Sequence, residues 1–259
     1  MDQLVEIKSK IQINPSRVGK KYFVKTFGCQ MNEHDSERIS GMFELDGMSK
    51  AISEEYADVL FVNTCTIREN ADDKLYGTLG QLKQWKSQKD NRKLLVGGCA
   101  AQKDKELVRE KAPWVDVVIG THNLTNVVDL LNRSEDWGPL TEIIDEIETL
   151  PTEAPSIRES EYSAWVTIQI GCNNSCTFCI VPSVRGQEIS RRPSDIVNEA
   201  KKLVDEGVKE ITLLGQNVNS YGRDLKIEGK ARPYFSQLLE QLNDIKAVSY
   251  THLRAHETT

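Results

Sequence analysis

Short apolar runs rich in β-branched and aromatic residues alternate with longer amphipathic stretches over the first half of the chain. The runs predict strands over residues 22–27, 59–64, 93–98 and 115–120. The stretches between them repeat apolar residues at helical spacing and predict helices over residues 33–45, 69–88, 104–110 and 124–131. Strands that alternate with helices predict an α/β fold, with a mainly parallel sheet covered by helices on both faces.

The second half repeats this pattern after a change in composition. Between Glu135 and Glu161 there are nine acidic residues and one basic residue, together with three prolines, which predicts an acidic linker over residues 135–160 with a short strand or helix near residues 141–147. A new βαβ unit follows, with a strand that ends at a Gly-Cys turn, a helix over residues 193–206 and a strand over residues 210–215. We therefore predict one domain over residues 20–134 and a second over residues 161–248.

Composition narrows the class of protein. Of the 259 residues 39% are hydrophobic and 28% are charged, as in globular proteins, and no apolar run is long enough to span a membrane. The first residues contain no signal-peptide hydrophobic region, so we expect a cytoplasmic protein without a membrane partner. The net charge is −6, but the acidic segment contributes −8 and the remainder is at +2, so the acidity does not exclude an RNA partner.

Three cysteines follow the first strand of the second domain, in the sequence GCNNSCTFCIVP. Cys172, Cys176 and Cys179 have the spacing C-x3-C-x2-C, which is suited to three irons of a cubane cluster and leaves the fourth iron without a protein ligand. A zinc site needs a fourth cysteine or histidine nearby, and the loop contains none. The alternatives are a zinc knuckle or a chance group of core cysteines.

The other three cysteines are far apart in sequence but have similar surroundings. Cys29, Cys65 and Cys99 each lie where a predicted strand ends. Because the carboxyl ends of parallel strands meet at one edge of a sheet, the three thiols can share a site. The alternative is that they are three unrelated buried residues, as cysteines often are.

The cysteine loop, with Phe178 before its last cysteine, resembles the signature of the radical S-adenosylmethionine (SAM) superfamily. The resemblance implies that the amino and carboxylate groups of SAM chelate the open iron of a 4Fe–4S cluster, and that Phe178 lies beside the adenine. It also implies a partial TIM-type barrel, of which this chain has the first βα units.

Further motifs resemble the methylthiotransferase family of radical SAM enzymes, and GCQMNEHDSE, NTCTIRENA and LLGQNVNSY resemble its MiaB-type branch. The resemblance implies that Cys29, Cys65 and Cys99 hold an auxiliary 4Fe–4S cluster that supplies or carries sulfur. The implied reaction adds a methylthio group to carbon 2 of N6-isopentenyladenosine next to the anticodon of a tRNA. It requires a reductant protein such as flavodoxin or ferredoxin.

Two other acceptors and one other class of protein remain as alternatives. The acceptor can be threonylcarbamoyladenosine in tRNA or a ribosomal protein, with the same chemistry. A protein of another class would be a non-catalytic metal- or cluster-binding module that interacts with RNA.

A few polar residues near the predicted strand ends are further candidates. Gln216 and Asn217 follow the last strand and are predicted to bind the cofactor, and Arg185 is predicted to contact SAM or substrate; an ordinary turn and a surface arginine are the alternatives. Asn32 and Asn63 flank the cysteines of the first domain, where they can donate hydrogen bonds to sulfur or cap turns.

The end of the sequence does not resemble the family. Residues 249–259 are therefore expected to be a non-native tail. Because only two βα units of the barrel precede it, we expect the chain as written to be inactive by itself.

Overall fold

A computed structural model describes residues 13–66, 71–145, 155–226 and 232–245, and the backbone of residues 250–253. Contacts between Cα atoms divide the chain into two units. The described part of the first comprises residues 13–66, 71–145, 155–157 and 178–184, and that of the second comprises residues 158–177, 185–226, 232–245 and 250–253.

The first unit is built on a parallel sheet of six strands. The strands are β1 (Lys21–Thr26), β2 (Ser49–Lys50), β3 (Val59–Thr64), β4 (Lys93–Gly98), β5 (Val117–Ile119) and β6 (Leu140–Glu142). Their order across the sheet is β2-β1-β3-β4-β5-β6, and all neighbouring pairs are parallel. The predicted parallel α/β fold is therefore confirmed.

Five α-helices of the first unit connect these strands. They are α1 (Gln30–Leu45), α2 (Ala71–Ser87), α3 (Cys99–Asp104), α4 (Leu107–Lys111) and α5 (Val127–Trp137). The sequence prediction began the third helix at residue 104, whereas helical structure starts at Cys99 and is interrupted at Lys105, which has φ of +50°. The prediction missed β2 because its two residues are exposed at an edge of the sheet and have no apolar pattern.

The alternation of side chains along β3 explains why both faces of the sheet are covered. Val59 and Phe61 pack in a core with α1 and α5, while Leu60 and Val62 pack on the opposite face with α2. Successive residues of a strand point to opposite faces, so an apolar run without polar interruptions is buried on both sides. The sheet is thereby fixed in place, and with it the carboxyl ends of its strands.

A buried arginine ties the chain before β1 to two helices. Arg17, with a fully buried side chain, lies 3.2 Å from the Asp46 carboxylate after α1 and 2.6 Å from the Glu135 carboxylate of α5. It also donates a hydrogen bond of 3.0 Å to the side chain of Asn132. Burial raises the pKa of Asp46 to about 6, and the positive charge of Arg17 opposes this rise.

We expect Arg17→Met to destabilise the first unit by about 3–5 kcal/mol, because it leaves a buried carboxylate without its cation. The folded pKa of Asp46 lies above its unfolded value, so ionisation of Asp46 costs stability as pH rises through about 4 to 6. Without Arg17 this cost increases, and the loss should be larger at pH 8 than at pH 5. Urea unfolding at both pH values measures it.

The half-exposed Arg133, which pairs with Glu142, provides the control. We expect Arg133→Met to have a much smaller effect at both pH values, because exposed ion pairs contribute little. Equal effects of the two substitutions would contradict the role given to Arg17.

The second unit contains the start of another parallel sheet. Its strands are β7 (Ser163–Thr167), β8 (Gln169–Ile170), β9 (Ile189–Ser190), β10 (Glu210–Leu214) and β11 (Tyr250–Leu253). The strands β7, β10 and β11 form a parallel sheet in the order β11-β10-β7, and β8 pairs antiparallel with β9. The helices α7 (Pro193–Asp205) and α8 (Phe235–Asn243) pack with β7 and β10 in a single core.

Two predicted segments contain more regular structure than the sequence indicated. Residues 135–137 and 140–142, within the predicted acidic linker, form the end of α5 and the edge strand β6. Residues 146–154 of that segment lie outside the described residues. In the predicted tail, residues 250–253 form β11 beside β10. In the parts of the chain that the structure describes, none of the helices has the length and apolar character needed to cross a bilayer.

Candidate functional site

The three cysteines of the first unit lie at the carboxyl ends of neighbouring strands. Cys65 directly follows β3, Cys99 directly follows β4, and Cys29 precedes the first residue of α1, three residues after β1. In the sheet, Thr64 at the end of β3 is in register with Gly98 at the end of β4. All three cysteines are at least nine-tenths buried. The parallel topology therefore brings these distant residues to one edge of the sheet, as the sequence predicted.

A buried hydrogen-bond network connects the segments that carry these cysteines. Asn32 Nδ2 donates to Asn63 Oδ1 (3.1 Å) and to the Thr64 carbonyl oxygen (2.8 Å). Asn63 Nδ2 in turn donates to the Asn32 carbonyl oxygen (2.7 Å), and Thr64 Oγ1 donates to the Gly97 carbonyl oxygen (2.6 Å). The start of α1 is thus joined to the end of β3, and β3 to β4. Because buried networks whose members are satisfied are rigid, this one holds the edge of the sheet in shape.

The two asparagines donate hydrogen bonds to backbone carbonyls and to side-chain oxygens in this network. Asn32 Oδ1 accepts a hydrogen bond of 3.4 Å from Cys29 Sγ. The described hydrogen bonds of the two Nδ2 atoms go to Asn63, Thr64, Asn32 and Ser36. Of the two roles considered from the sequence, the structure supports a structural role that fixes the cysteine-bearing turns.

Gly28 makes room for Cys65 at this edge. Its φ is +128°, and a Cβ atom on it would lie 2.9 Å from Cys65 Cβ and 3.1 Å from Asn32 Cγ. A cavity of about 80 Å³ opens beside Cys65. It is lined by Phe27, Gly28, Thr64, Cys65, Ala71, Lys74 and Leu75.

We expect Gly28→Ala to impair this site. The backbone conformation alone costs a residue with a side chain about 1–3 kcal/mol, and overpacking against Cys65 adds to it. Unfolding free energy and iron bound per chain after anaerobic reconstitution should both fall.

Gly77 in α2 is the matched control, because a Cβ atom there would meet nothing within 4 Å. Gly77→Ala should leave iron content unchanged and stabilise the helix by about 0.5–1 kcal/mol. If Gly28→Ala bound as much iron as Gly77→Ala, the close approach of Gly28 to Cys65 would not matter for the site.

The donor set of this edge fits a cluster better than a single ion. Among the described residues, no three His, Cys, Asp or Glu side chains converge closely enough to hold one metal ion. A four-iron cluster binds its thiolates through separate irons, so its ligands need not converge on one point. Three cysteines at neighbouring strand ends, with a cavity beside Cys65, are compatible with this requirement. The helix α1 also directs the positive end of its dipole to this edge, which favours negatively charged thiolates.

The second cysteine loop, residues 172–179, begins at a tight approach between two segments of the second unit. Gly171 has φ of +71°, and a Cβ atom on it would overlap the carbonyl oxygen of Gln187. The Cys172 N–H donates to the Gly186 carbonyl oxygen (3.1 Å), and the Glu188 N–H donates to Asn173 Oδ1 (3.0 Å). The first cysteine is thereby anchored to the chain that leads into β9. Cys172 and Cys179 are half-buried and Cys176 is exposed.

The remaining predicted residues have different surroundings. Phe178 is 82% exposed, so its ring is not part of a core. Gln216 and Asn217 are half-buried and directly follow β10 and Gly215, at the carboxyl end of the second sheet. Arg185 is the last residue of α6 (Val181–Arg185) and is buried, unlike the surface arginine considered as its alternative.

The sequence analysis did not single out a polar group beside the turn that contains Gln216. Gln169, Glu188 and Ser220 are buried and hydrogen-bonded to one another at this edge. The available signal was a glutamine within the otherwise apolar run WVTIQI. Its partners are 19 and 51 residues away, which no local pattern reveals.

Comparisons with known families match both units. Residues 21–120 match the uncharacterized protein family UPF0004, and residues 166–253 match the radical SAM superfamily. A tRNA-2-methylthio-N(6)-dimethylallyladenosine synthase from Corynebacterium efficiens is 52% identical over 233 residues, which cover 88% of this chain and 44% of the relative. The enzyme of the same name from Tropheryma whipplei is 54% identical over 228 residues, covering 88% and 47%. The chain belongs to the methylthiotransferase family of radical SAM proteins.

Solved structures agree with this assignment at the level of the fold. The radical SAM methyltransferase TsrM from Kitasatospora setae, solved with cobalamin and a 4Fe–4S cluster, has a TM-score of 0.51 at 11% identity, covering 81% of this chain and 50% of TsrM. The structure with tryptophan and a SAM analogue has a TM-score of 0.50. The chain spans about half the length of the curated relatives it matches. The predicted family and fold are confirmed, whereas the roles of individual residues stay predictions.

Proposed function

We propose that the whole protein is a radical SAM methylthiotransferase that modifies tRNA, and that this chain contributes its two sets of cluster ligands. The observation that carries the proposal is the presence of two separate cysteine trios, one at the carboxyl ends of a parallel sheet and one in the loop that follows β8, in a chain about 50% identical to enzymes named for tRNA methylthiolation. A protein that only binds RNA has no need for two sets of three thiols.

The trio of the loop over residues 172–179 is assigned to the cluster that binds SAM. Cys172, Cys176 and Cys179 would ligate three irons, and the fourth iron stays open for the amino acid end of SAM. The exposed ring of Phe178 is available to stack on the adenine. Gln216 and Asn217 contribute polar groups after the carboxyl end of β10.

The trio of the first unit is assigned to the auxiliary cluster. Cys29, Cys65 and Cys99 would ligate it, and the network of Asn32, Asn63 and Thr64 keeps their turns in register. The cavity beside Cys65 provides space next to the ligands.

The two clusters, when bound, would supply chemistry that side chains lack. One would reduce SAM by one electron, and the other would store the sulfur to be transferred. The protein holds the thiolates, orients SAM through polar groups at the strand ends, and keeps the first trio away from water. An unactivated aromatic C–H bond resists polar attack, which is why such a reaction requires a radical generator.

The proposed acceptor is carbon 2 of N6-isopentenyladenosine next to the anticodon. This is an exposed loop base, of the kind that proteins bind by splaying it out of the RNA. The names of the two relatives described above support this assignment. The proposal includes a reductant protein such as flavodoxin or ferredoxin, and a cytoplasmic location, where tRNA is modified.

Mass spectrometry of tRNA nucleosides tests the proposed acceptor. Cells that lack the gene should accumulate isopentenyladenosine, and a restored gene should return the methylthio nucleoside. A restored gene with Cys65→Ala should not. An unchanged level of this nucleoside, with loss of methylthiolated threonylcarbamoyladenosine or of a modified ribosomal protein, would move the assignment to another acceptor.

A further inference from the structure

A buried carboxylate lies at the carboxyl edge of the second sheet. Glu188 is only 8% exposed and precedes β9, and its backbone N–H is bonded to Asn173, the residue after Cys172. The carboxylate is thus held on the segment that anchors the first cysteine of the SAM-binding loop. None of the predicted roles uses it.

A chain of hydrogen bonds orients this carboxylate. Gln169 Nε2 donates to Ser220 Oγ (3.2 Å), and Ser220 Oγ donates to Glu188 Oε2 (2.6 Å). The Asn217 carbonyl oxygen accepts from the Ser220 N–H (3.0 Å) and also lies 2.8 Å from Ser220 Oγ, so the single hydroxyl hydrogen of Ser220 is within reach of two acceptors, of which Glu188 Oε2 is the nearer. The chain connects three elements: β8, the approach to β9, and the single helical turn Val218–Ser220 after Asn217.

The charge of Glu188 is not balanced within the described residues. No lysine, arginine or histidine nitrogen among them lies within 4.0 Å of its carboxylate oxygens. A second buried acceptor has no donor in the described part of the chain. This is Oε1 of the fully buried Gln169. Buried charges are normally paired and buried acceptors normally bonded, so two such groups around one hydroxyl indicate a ligand that donates hydrogen bonds.

The position of these acceptors restricts the ligand. Gly215, which begins the turn with Gln216 and Asn217, approaches the Gln169 side chain, since a Cβ atom on Gly215 would lie 3.6 Å from Gln169 Cβ. The acceptors therefore lie between the anchor of the cysteine loop and the turn assigned to cofactor binding. Carboxylate and amide oxygens in this place suit an amino group, and they do not suit a phosphate or another anion.

We propose that Glu188 is a binding residue for the amino group of SAM, oriented by Ser220 and assisted by Gln169 Oε1. The proposal rests on the proposed function, because it requires SAM to bind at this edge. Glu188 accepts N–H hydrogen bonds from the amino group and so helps to orient the amino acid end of SAM.

Equilibrium binding to the anaerobically reconstituted whole protein tests this assignment with SAM and with its analogue that lacks the α-amino group. We expect Glu188→Gln to weaken SAM binding about 10–100-fold, as for a lost hydrogen bond to a charged group. Binding of the analogue should change by less than about threefold, because the analogue has no group for Glu188 to accept from. Glu240→Gln, at an exposed position of α8, is the control and should change neither.

The outcomes separate this proposal from the proposed function. A wild-type whole protein that assembles its clusters but binds no SAM overturns both. A wild-type whole protein that binds SAM, with Glu188→Gln binding it equally well or losing affinity for both ligands alike, overturns the role of Glu188 alone.

A second substitution covers the case in which Glu188→Gln assembles no cluster. Ser220→Ala leaves the carboxylate in place and removes the hydroxyl that orients it, so we expect normal iron content and weaker SAM binding. Unchanged SAM affinity in Ser220→Ala would then overturn the proposal.

Discussion

Cys176→Ala in the whole protein is expected to reduce SAM cleavage at least about a hundredfold, since changes that only support metal ligands already cost about 10–100-fold. Cys176 is exposed on its loop, so its loss should not disturb a core. Iron bound per chain should fall from about eight to about four, because one of two four-iron clusters is lost. Anaerobic reconstitution, iron and sulfide analysis, and 5′-deoxyadenosine formation under reductant measure these changes.

Ser175→Ala, at the neighbouring exposed position of the same loop, is the control and should keep both clusters and full cleavage. If Cys176→Ala kept about eight irons and cleaved SAM, the loop would not hold the SAM-binding cluster. Bound zinc in the wild-type protein, without SAM cleavage, would favour a non-catalytic binding module.

Cys65→Ala is expected to impair formation of the methylthiolated product rather than cleavage of SAM. Cys65 is buried at the end of β3, next to the cavity and to Gly28. Its substitution should remove the other four or so irons and reduce methylthiolated product at least about a hundredfold, while SAM cleavage continues. Separate measurement of 5′-deoxyadenosine and of modified nucleoside distinguishes the two steps.

The two variants control each other, because each should remove a different half of the iron. The spectrum of Cys65→Ala should still change when SAM is added, and that of Cys176→Ala should not. Product formation by Cys65→Ala at the wild-type rate would contradict the assignment of an auxiliary cluster to this edge.

Sequence patterns were sufficient to predict the first sheet, because its central strands are apolar on both faces. The run at residues 59–64 is buried along its whole length, so its apolar pattern and its structure coincide. The edge strands β2 and β6 were harder to predict, since β2 has only exposed polar residues and β6 lies within an acidic segment. Pairing with a neighbouring strand, which a local pattern does not contain, gives them their structure.

The position of the candidate ligands of the first unit could be predicted from the sequence, but the groups that support them could not. The end of a strand can be recognised from the sequence, so the three cysteines of the first unit could be placed at one edge. The direction of the Asn32 and Asn63 amide groups could not be predicted, because an amide can donate to sulfur or to backbone equally well. Likewise, Gln169 and Ser220 meet only through the fold, and Ser220 resembles any serine in a turn.

The central claim is that the loop of Cys172, Cys176 and Cys179 leaves one iron open for SAM. Pulsed electron paramagnetic resonance on the reduced, oxygen-free chain tests it most directly, with SAM carrying 15N in its amino group and 17O in its carboxylate. We predict hyperfine coupling of both labels to the cluster and a changed spectrum when SAM is added. Coupling of the cluster to a protein nitrogen instead, with no response to SAM, would contradict the claim.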